Sequence, residues 1–163
     1  MPQLLGAEFG VAFTFDKHGV GAETYKVESD GIRSYYIWMQ ADGAVNANEP
    51  YSYDAATFQI EERADAAVIP LDADTAPICV SPVALADNEY AWVFVGPGKF
   101  TATTDATGVV AARDIVYISA TVGTLSGGAT AALLKGVGTE AAITGGASGT
   151  FYATNRLFAE DLP

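Results

Sequence analysis

Short apolar segments rich in β-branched and aromatic residues alternate along this chain with Gly, Pro, Asn and Asp turn signals. The clearest segment covers residues 34–40 and is followed by an Asp-Gly pair, which suits a tight hairpin turn. Segments at 90–95, 114–122 and 150–158 have the same character. Helical spacing is not sustained anywhere; residues 50–58 and 129–135 admit at most a turn or two. The pattern predicts an all-β fold, as a single compact β-barrel or β-sandwich domain.

The two strongest predicted strands are apolar on both faces. In residues 34–40, Tyr36 and Trp38 share one side while Ile37 lies on the other. An antiparallel strand with one side in water would alternate apolar and polar residues instead. These strands therefore lie in the middle of a barrel or sandwich, or have one face covered by another subunit. The candidate core or subunit-interface residues are Tyr35, Tyr36, Trp38, Tyr90 and Trp92.

Two Gly-punctuated regions flank or interrupt the predicted strands. Residues 1–22 are interpreted as an extended N-terminal arm that precedes a single β domain at 23–163. The arm's alternating apolar side chains need a surface and are candidate contacts to another chain: Phe9, Val11, Phe13 and Phe15. The tract at 123–149 predicts Gly-rich loops around one short strand near residues 137–143.

A faint internal echo suggests a duplicated sequence. Tyr36-x-Trp38 and Tyr90-x-Trp92 are each followed by a Gly turn and another extended segment. A second echo pairs residues 80–84 with residues 137–141, both before a turn. Two matches of this kind also arise by chance in β-rich chains, so duplication remains one of two interpretations.

Composition and charge exclude several classes of partner. The chain has 163 residues, enough for one domain with a real core. Its 20 acidic and 8 basic residues give a net charge of −12. Nucleic acid and anionic membranes are disfavoured because both require clustered Lys and Arg. No apolar run is long enough for a membrane span, and the N-terminus lacks signal-peptide character, so we expect synthesis in a cytoplasm.

The residue types of nucleophilic and metal chemistry are scarce. With one cysteine and one histidine, the chain has neither a disulfide framework nor a Cys-rich or multi-histidine metal centre. Cys79 follows Pro77 and Ile78 and is predicted to be a buried, inert thiol. His18 follows Asp16 and Lys17 and is predicted to lie in a solvated turn. No cofactor is expected.

Carboxylates are abundant, and paired acids can hydrolyse glycosidic bonds or bind calcium. The dense acidic positions include Asp72, Asp74, Asp87 and Glu89. Their spacing departs from the EF-hand loop, which needs a further ligand, a glycine and a distal Glu. We interpret them as solvated surface residues and keep a carboxylate-dependent hydrolase as an alternative.

The turn-and-strand motifs together resemble a known family. They are DGIRSYYIW at 30–38, ADGA at 41–44, ADNEYAWV at 86–93, VGTEAAITGG at 137–146 and GTF at 149–151. This pattern, across residues 27–157, resembles small head decoration, or capsid cement, proteins of tailed bacteriophages. The resemblance implies a β-rich, non-enzymatic, trimeric protein on the outside of the expanded capsid. It also implies an arm, here residues 6–15, that pairs with a capsid strand.

The expected function is therefore that of a virion structural protein made in the host cytoplasm and placed on the capsid exterior. Its expected partners are the major capsid protein and further copies of itself in a homotrimer, with no nucleic acid or membrane partner. Strong negative charge keeps such a protein soluble and complements basic patches on a shell. A glycan-binding β-sandwich that uses exposed aromatic residues is the rival in the class of binding modules.

Overall fold

The computed structural model describes residues 7–64, 76–108, 115–128 and 132–161, and the regular elements in these residues are all β-strands. The all-β prediction is confirmed, in the form of a closed five-stranded barrel with additional strands in one compact domain. The strands are β1 (Glu23–Val27), β2 (Arg33–Ala41), β3 (Pro50–Asp54), β4 (Gln59–Arg63), β5 (Ala76–Val80), β6 (Tyr90–Phe94), β7 (Gly98–Thr103), β8 (Tyr117–Ile118), β9 (Leu125–Ser126), β10 (Ala132–Leu134), β11 (Val137–Thr139), β12 (Ser148–Ala153) and β13 (Phe158–Asp161).

The barrel closes through the strand order β2, β4, β3, β5, β6 and back to β2. The β2–β6 ladder is antiparallel and aligns Trp38 with Trp92, whereas β2 and β4 are parallel and align Ala41 with Ile60. β1 adds to the outer edge of β2 in antiparallel register. Closure removes the unpaired backbone edges that an open sheet would expose.

The two apolar faces of β2 and β6 are both covered within the chain. Alternate residues such as Ile37 and Val93 point into the barrel. Their neighbours Trp38 and Trp92 point outward into a second core and are fully buried. The two indole rings meet edge to face with centroids 5.3 Å apart, a geometry that adds about 0.5–1.5 kcal/mol beyond area burial. The side chains that fill the barrel interior are Ile37, Met39, Tyr51, Tyr53, Ile60, Cys79, Ala91 and Val93.

The strands after the barrel repeat its pairing plan. β7 pairs with β12 as β2 pairs with β6, and β8 pairs with β9 and β10 as β3 pairs with β4 and β5. The parallel contact of β2 with β4 is repeated as a bridge between Thr104 and Leu125. Strands β2 to β6 therefore form a first unit, and strands β7 to β12 form a second unit of the same topology.

Individual backbone hydrogen bonds repeat with the strands. The amide of Asp42 donates to Ile60 O at 3.0 Å, and the amide of Asp105 donates to Leu125 O at 2.9 Å. The turns before β6 and β12 also match, with positive φ at Asn88 (63°) and Gly146 (76°). Matching bonds and matching left-handed residues show that the two units share one local conformation at corresponding positions.

The repeat differs from the echo seen in the sequence. Trp38 and Trp92 face each other across one ladder, so they are partners within a unit, not equivalents between units. Their counterparts in the second unit are Thr101 and Thr150, which also face each other. The repeat is thus visible in the strand pairing. The alignment of residues 36–38 with residues 90–92, which suggested a duplication in the sequence, was wrong.

The second unit lays its apolar side against the outer face of the barrel. Phe94 of β6 stacks on Phe100 of β7 with ring centroids 4.8 Å apart, and Phe100 in turn stacks on Phe151 of β12 at 5.5 Å. Gly98 begins β7 with φ +125°, where a Cβ atom would lie 2.4 Å from the Ser34 Cα. A glycine is required there because the two units approach each other backbone to backbone.

Some predicted element boundaries were wrong. Residues 50–54 form β3, and 132–134 form β10, so neither region is helical. The predicted strand at 150–158 is two strands, β12 and β13, separated by a turn at 154–156. The strand predicted at 114–122 is regular only at Tyr117–Ile118. Position 114 lies outside the described residues.

Candidate docking surface

The arm lies along the barrel over the part that the structure describes, residues 7–22. Phe13 exchanges two backbone hydrogen bonds with Tyr90 at 2.9 and 2.8 Å, which extends the β6 edge. Further along, Gly21 donates to Trp38 O, and Trp38 donates to Ala22 O. The arm is therefore held by backbone hydrogen bonds to both strands of the central ladder.

The four apolar arm residues do not share one face, as they would in a continuous strand, but divide into two pairs. Phe9 and Phe13 are half-buried, with their rings 4.8 Å from Tyr36 and 5.5 Å from Trp38. Val11 is 42% exposed and Phe15 is 59% exposed. The inward pair anchors the arm on its own domain, and the outward pair remains available to another molecule.

A tight turn between the arm and β1 is organised by one carboxylate. Asp16 Oδ1 accepts hydrogen bonds from the Gly19 amide at 2.7 Å and from the Trp38 indole at 2.8 Å. Burial raises the pKa of Asp16, but these bonds and those from Val20 and His18 outweigh it, so that the pKa is lowered overall. Asp16 thus joins the arm to the aromatic core through a charge-assisted contact.

His18 does not lie in a solvated turn, which corrects the sequence prediction. Its ring packs 4.7 Å from Trp38 and 5.0 Å from Trp92, and its Nε2 is buried without a hydrogen-bond partner among the residues that the structure describes. Burial lowers the pKa of His18, and Lys17 lowers it further, while Asp16 and Glu8 oppose the shift. The neutral imidazole behaves as one more ring of the aromatic cluster.

The aromatic candidates divide into core and surface residues. Tyr36, Trp38 and Trp92 are buried, whereas Tyr35 and Tyr90 are half-buried. Tyr90 stacks on Trp38 at 6.3 Å beside the arm. Because Trp38 has no exposed surface, it cannot contact a ligand in this conformation.

Cations on the described surface contact neighbouring acids or, in the case of Arg33, an aromatic ring. The Lys17 ammonium lies 3.4 Å from Glu8, and Arg33 lies over the Tyr25 ring at 4.8 Å. Further ion pairs are Lys26–Glu28, Arg63–Glu49, Lys99–Asp30 and Arg156–Glu23. Because acidic residues outnumber these cations, the electrostatic potential of the chain is negative and favours a basic partner surface.

Two of the candidate catalytic carboxylates are engaged in loop hydrogen bonds. Asp87 accepts from the Gly43 amide at 3.0 Å, and Glu89 accepts from the Ala86 amide at 2.8 Å. Both bonds brace the loop before β6. Asp72 and Asp74 lie outside the described residues.

Cys79 is fully buried in the barrel, and burial raises the pKa of its thiol well above the usual range, which confirms the inert thiol predicted. Within the described ranges, no three His, Cys, Asp or Glu side chains are grouped so that they could hold a metal ion. The same ranges contain no helix with the length and apolar character of a membrane span.

Comparison of the chain with protein-family models, with curated proteins and with solved structures returned no match.

Sequence reasoning missed the organising role of Asp16. The available signal was an Asp three residues before a glycine, which is the pattern of a side chain that accepts hydrogen bonds from a following turn. What no local pattern reveals is the Trp38 indole as its further partner, because Trp38 lies 22 residues away.

Proposed function

We propose that this chain is a phage virion structural protein that binds the outside of the capsid and stabilises it, with the major capsid protein as its partner. The head decoration resemblance of residues 27–157 supplies the class. The observation that carries the proposal is the arm: it is fixed to the barrel through Phe13 and Tyr90 and yet exposes Val11 and Phe15.

A fixed arm with exposed apolar side chains is suited to binding. Ordering a free arm on contact would cost conformational entropy for each residue, about 1–2 kcal/mol. Residues 7–22 are already ordered on the barrel, so less of the contact energy of Val11 and Phe15 is lost. The role is non-enzymatic: a protein that binds only the assembled shell stabilises that shell by mass action.

The charge distribution supports a basic docking site on the shell. The net charge is −12, and Lys17, Lys26, Arg63, Lys99 and Arg156 are each paired with an acid. Electrostatic attraction to basic capsid patches would speed docking and make it sensitive to salt. Self-association as a homotrimer is part of the proposal and is measured by light scattering on the purified chain.

The arm is tested by cosedimentation with undecorated capsid shells. Val11→Ser and Phe15→Ala are expected to weaken binding, each by about 1–3 kcal/mol if its side chain is buried in the contact. Matched controls exist because Val27 is 49% exposed and Ile115 is 59% exposed at other positions. Val27→Ser and Ile115→Ala should bind as the unmodified chain does.

Equal binding by the arm variants and their controls would remove Val11 and Phe15 from the docking surface. Mass spectrometry of purified virions tests the wider proposal. Absence of the chain from intact particles would overturn the virion role whatever the arm does.

A further inference from the structure

A cleft of about 310 Å³ opens where the two units meet. Its first-unit side contains Tyr36 of β2 and Phe94 of β6, and its second-unit side contains Lys99, Thr101 and Thr150 of β7 and β12. The β1–β2 turn and the loop residues Asn48 and Pro82 complete the rim. Its volume is at the small end of the range for ligand pockets, about 300–1,000 Å³.

The floor of the cleft is aromatic and rigid. Tyr36 meets Phe94 edge to face at 5.7 Å, and Phe94 stacks on Phe100 at 4.8 Å. Tyr36 is 7% exposed and Phe100 is 6% exposed, so this apolar floor is closely packed. Burial, and to a lesser extent the nearby Glu28, raises the pKa of Tyr36, so its hydroxyl stays protonated.

The rim supplies neutral hydrogen-bonding groups that the described part of the chain leaves free. Thr101 and Thr150 are exposed and directly opposite each other on adjacent strands. Neither hydroxyl, nor the Tyr36 hydroxyl, nor the Asn48 carboxamide makes a side-chain hydrogen bond within the described residues. By contrast, the hydroxyl of Thr103, two residues further along β7, is already paired with Ser148 at 3.1 Å.

The charges at the rim are balanced. The Lys26 ammonium lies 3.0 Å from Glu28, and Lys99 is paired with Asp30. Hydrogen bonding to Asp30, and then to Tyr152, raises the pKa of Lys99, so this cation is retained at neutral pH. A charged ligand would have to break one of these pairs, whereas a neutral ligand can use their remaining donors and acceptors.

We propose that this cleft binds a neutral sugar residue. A sugar ring combines an apolar C–H face, which suits the apolar floor of the cleft, with hydroxyls that both donate and accept. Thr101, Thr150, Tyr36 and Asn48 offer both functions. The site lies apart from the arm residues Val11 and Phe15 and does not depend on capsid binding.

The test is NMR titration of the full chain with methyl α-glucoside, methyl β-galactoside, N-acetylglucosamine and glucuronate. At least one neutral sugar should shift amide signals of β7, β12 and the Asn48 loop. Thr101→Val and Thr150→Val should each weaken that binding about threefold to tenfold, the effect of one lost hydrogen bond. Valine keeps the shape of threonine and suits a strand, so these variants should fold.

The matched control is Thr103→Val, because Thr103 belongs to the same strand and lies outside the cleft. It should leave the affinity unchanged. Three results would overturn the proposal: no neutral sugar shifts these signals, Thr103→Val weakens binding as much as Thr101→Val does, or glucuronate alone binds. The last result would assign the cleft to anions through Lys26 and Lys99.

Discussion

At the scale of single residues, His18 shows how burial changes the role of a side chain. The ring lies between Trp38 and Trp92, and within the described ranges its buried Nε2 has no hydrogen-bond partner. Protonation would place a desolvated N–H⁺ group among apolar rings without an acceptor. The charged groups nearby act in opposite directions, since Lys17 disfavours the cation while Asp16 and Glu8 favour it.

We predict that the arm loosens when His18 is protonated. Because folding lowers the pKa of His18, its contribution to stability is complete above the ordinary value of 6.5 and is lost as the pH falls through the lowered pKa. Tryptophan fluorescence and the melting temperature should therefore change between about pH 7.5 and about pH 5. Since the chain has one histidine, His18→Gln is the matched control and should remove most of this change. An identical profile in both proteins would contradict the prediction.

At the scale of elements, the repeated loops use corresponding aspartates differently. Asp105 accepts hydrogen bonds from the Thr107 amide at 2.9 Å and from the Ser119 hydroxyl at 2.7 Å. Burial raises the pKa of Asp105, but these and further hydrogen bonds lower it overall. Its counterpart Asp42 is exposed and uses its backbone amide, bonded to Ile60, rather than its carboxylate.

Replacement of these two aspartates should therefore have unequal effects. Asp105→Ala is expected to cost about 2 kcal/mol, which corresponds to about 4–8 °C in melting temperature for a chain of this size. Asp42→Ala, at the same position of the first unit, should stay within about 0.5 kcal/mol of the unmodified chain. Thermal unfolding followed by circular dichroism measures both, and equal losses would show that the Asp105 bonds do not stabilise the second loop.

Sequence patterns predicted β2 and β6 closely because both strands are short, uninterrupted apolar runs bounded by turn residues. They were less informative for the second unit, where Gly and Thr interrupt the alternation of apolar and polar residues. In addition, β8 and β9 are only two residues long. Period-two spacing predicted that Phe9, Val11, Phe13 and Phe15 share one face. The structure instead turns Phe9 and Phe13 inward and leaves Val11 and Phe15 exposed, because the described arm is not a continuous strand and is bridged to β6 only at Phe13. The surface that the inward pair contacts, and the cleft between the units, depend on long-range packing that local patterns do not encode.

At the scale of the whole molecule, β13 joins the two units. It pairs with β5 of the first unit through Ala159 and Ala76, and with β10 of the second unit through Ala159 and Leu134. Ala159 is 1% exposed within the core that the units share. A single terminal strand thus completes a sheet that crosses the unit boundary.

Deletion of residues 158–163 should uncouple the units. The loss of the β13 ladders removes several hydrogen bonds at about 1 kcal/mol each, and we expect at least about 2 kcal/mol of destabilisation. In hydrogen–deuterium exchange, the amides of β8 and β10 should lose protection, whereas those of β2 and β6, which serve as the internal reference, should keep it. A uniform loss of protection in all four strands would show that the units unfold as one.

A chain that uses one pairing plan twice can also close it wrongly. During refolding, β6 and β12 compete for β2 and β7, and a swapped partner would also form an antiparallel ladder. Side-chain size resolves the competition: the central pair of one ladder is Trp38 with Trp92, and that of the other is Thr101 with Thr150. A tryptophan opposite a threonine fills neither site. The Trp38–Trp92 and Thr101–Thr150 pairs therefore favour the pairing of each strand with its own partner.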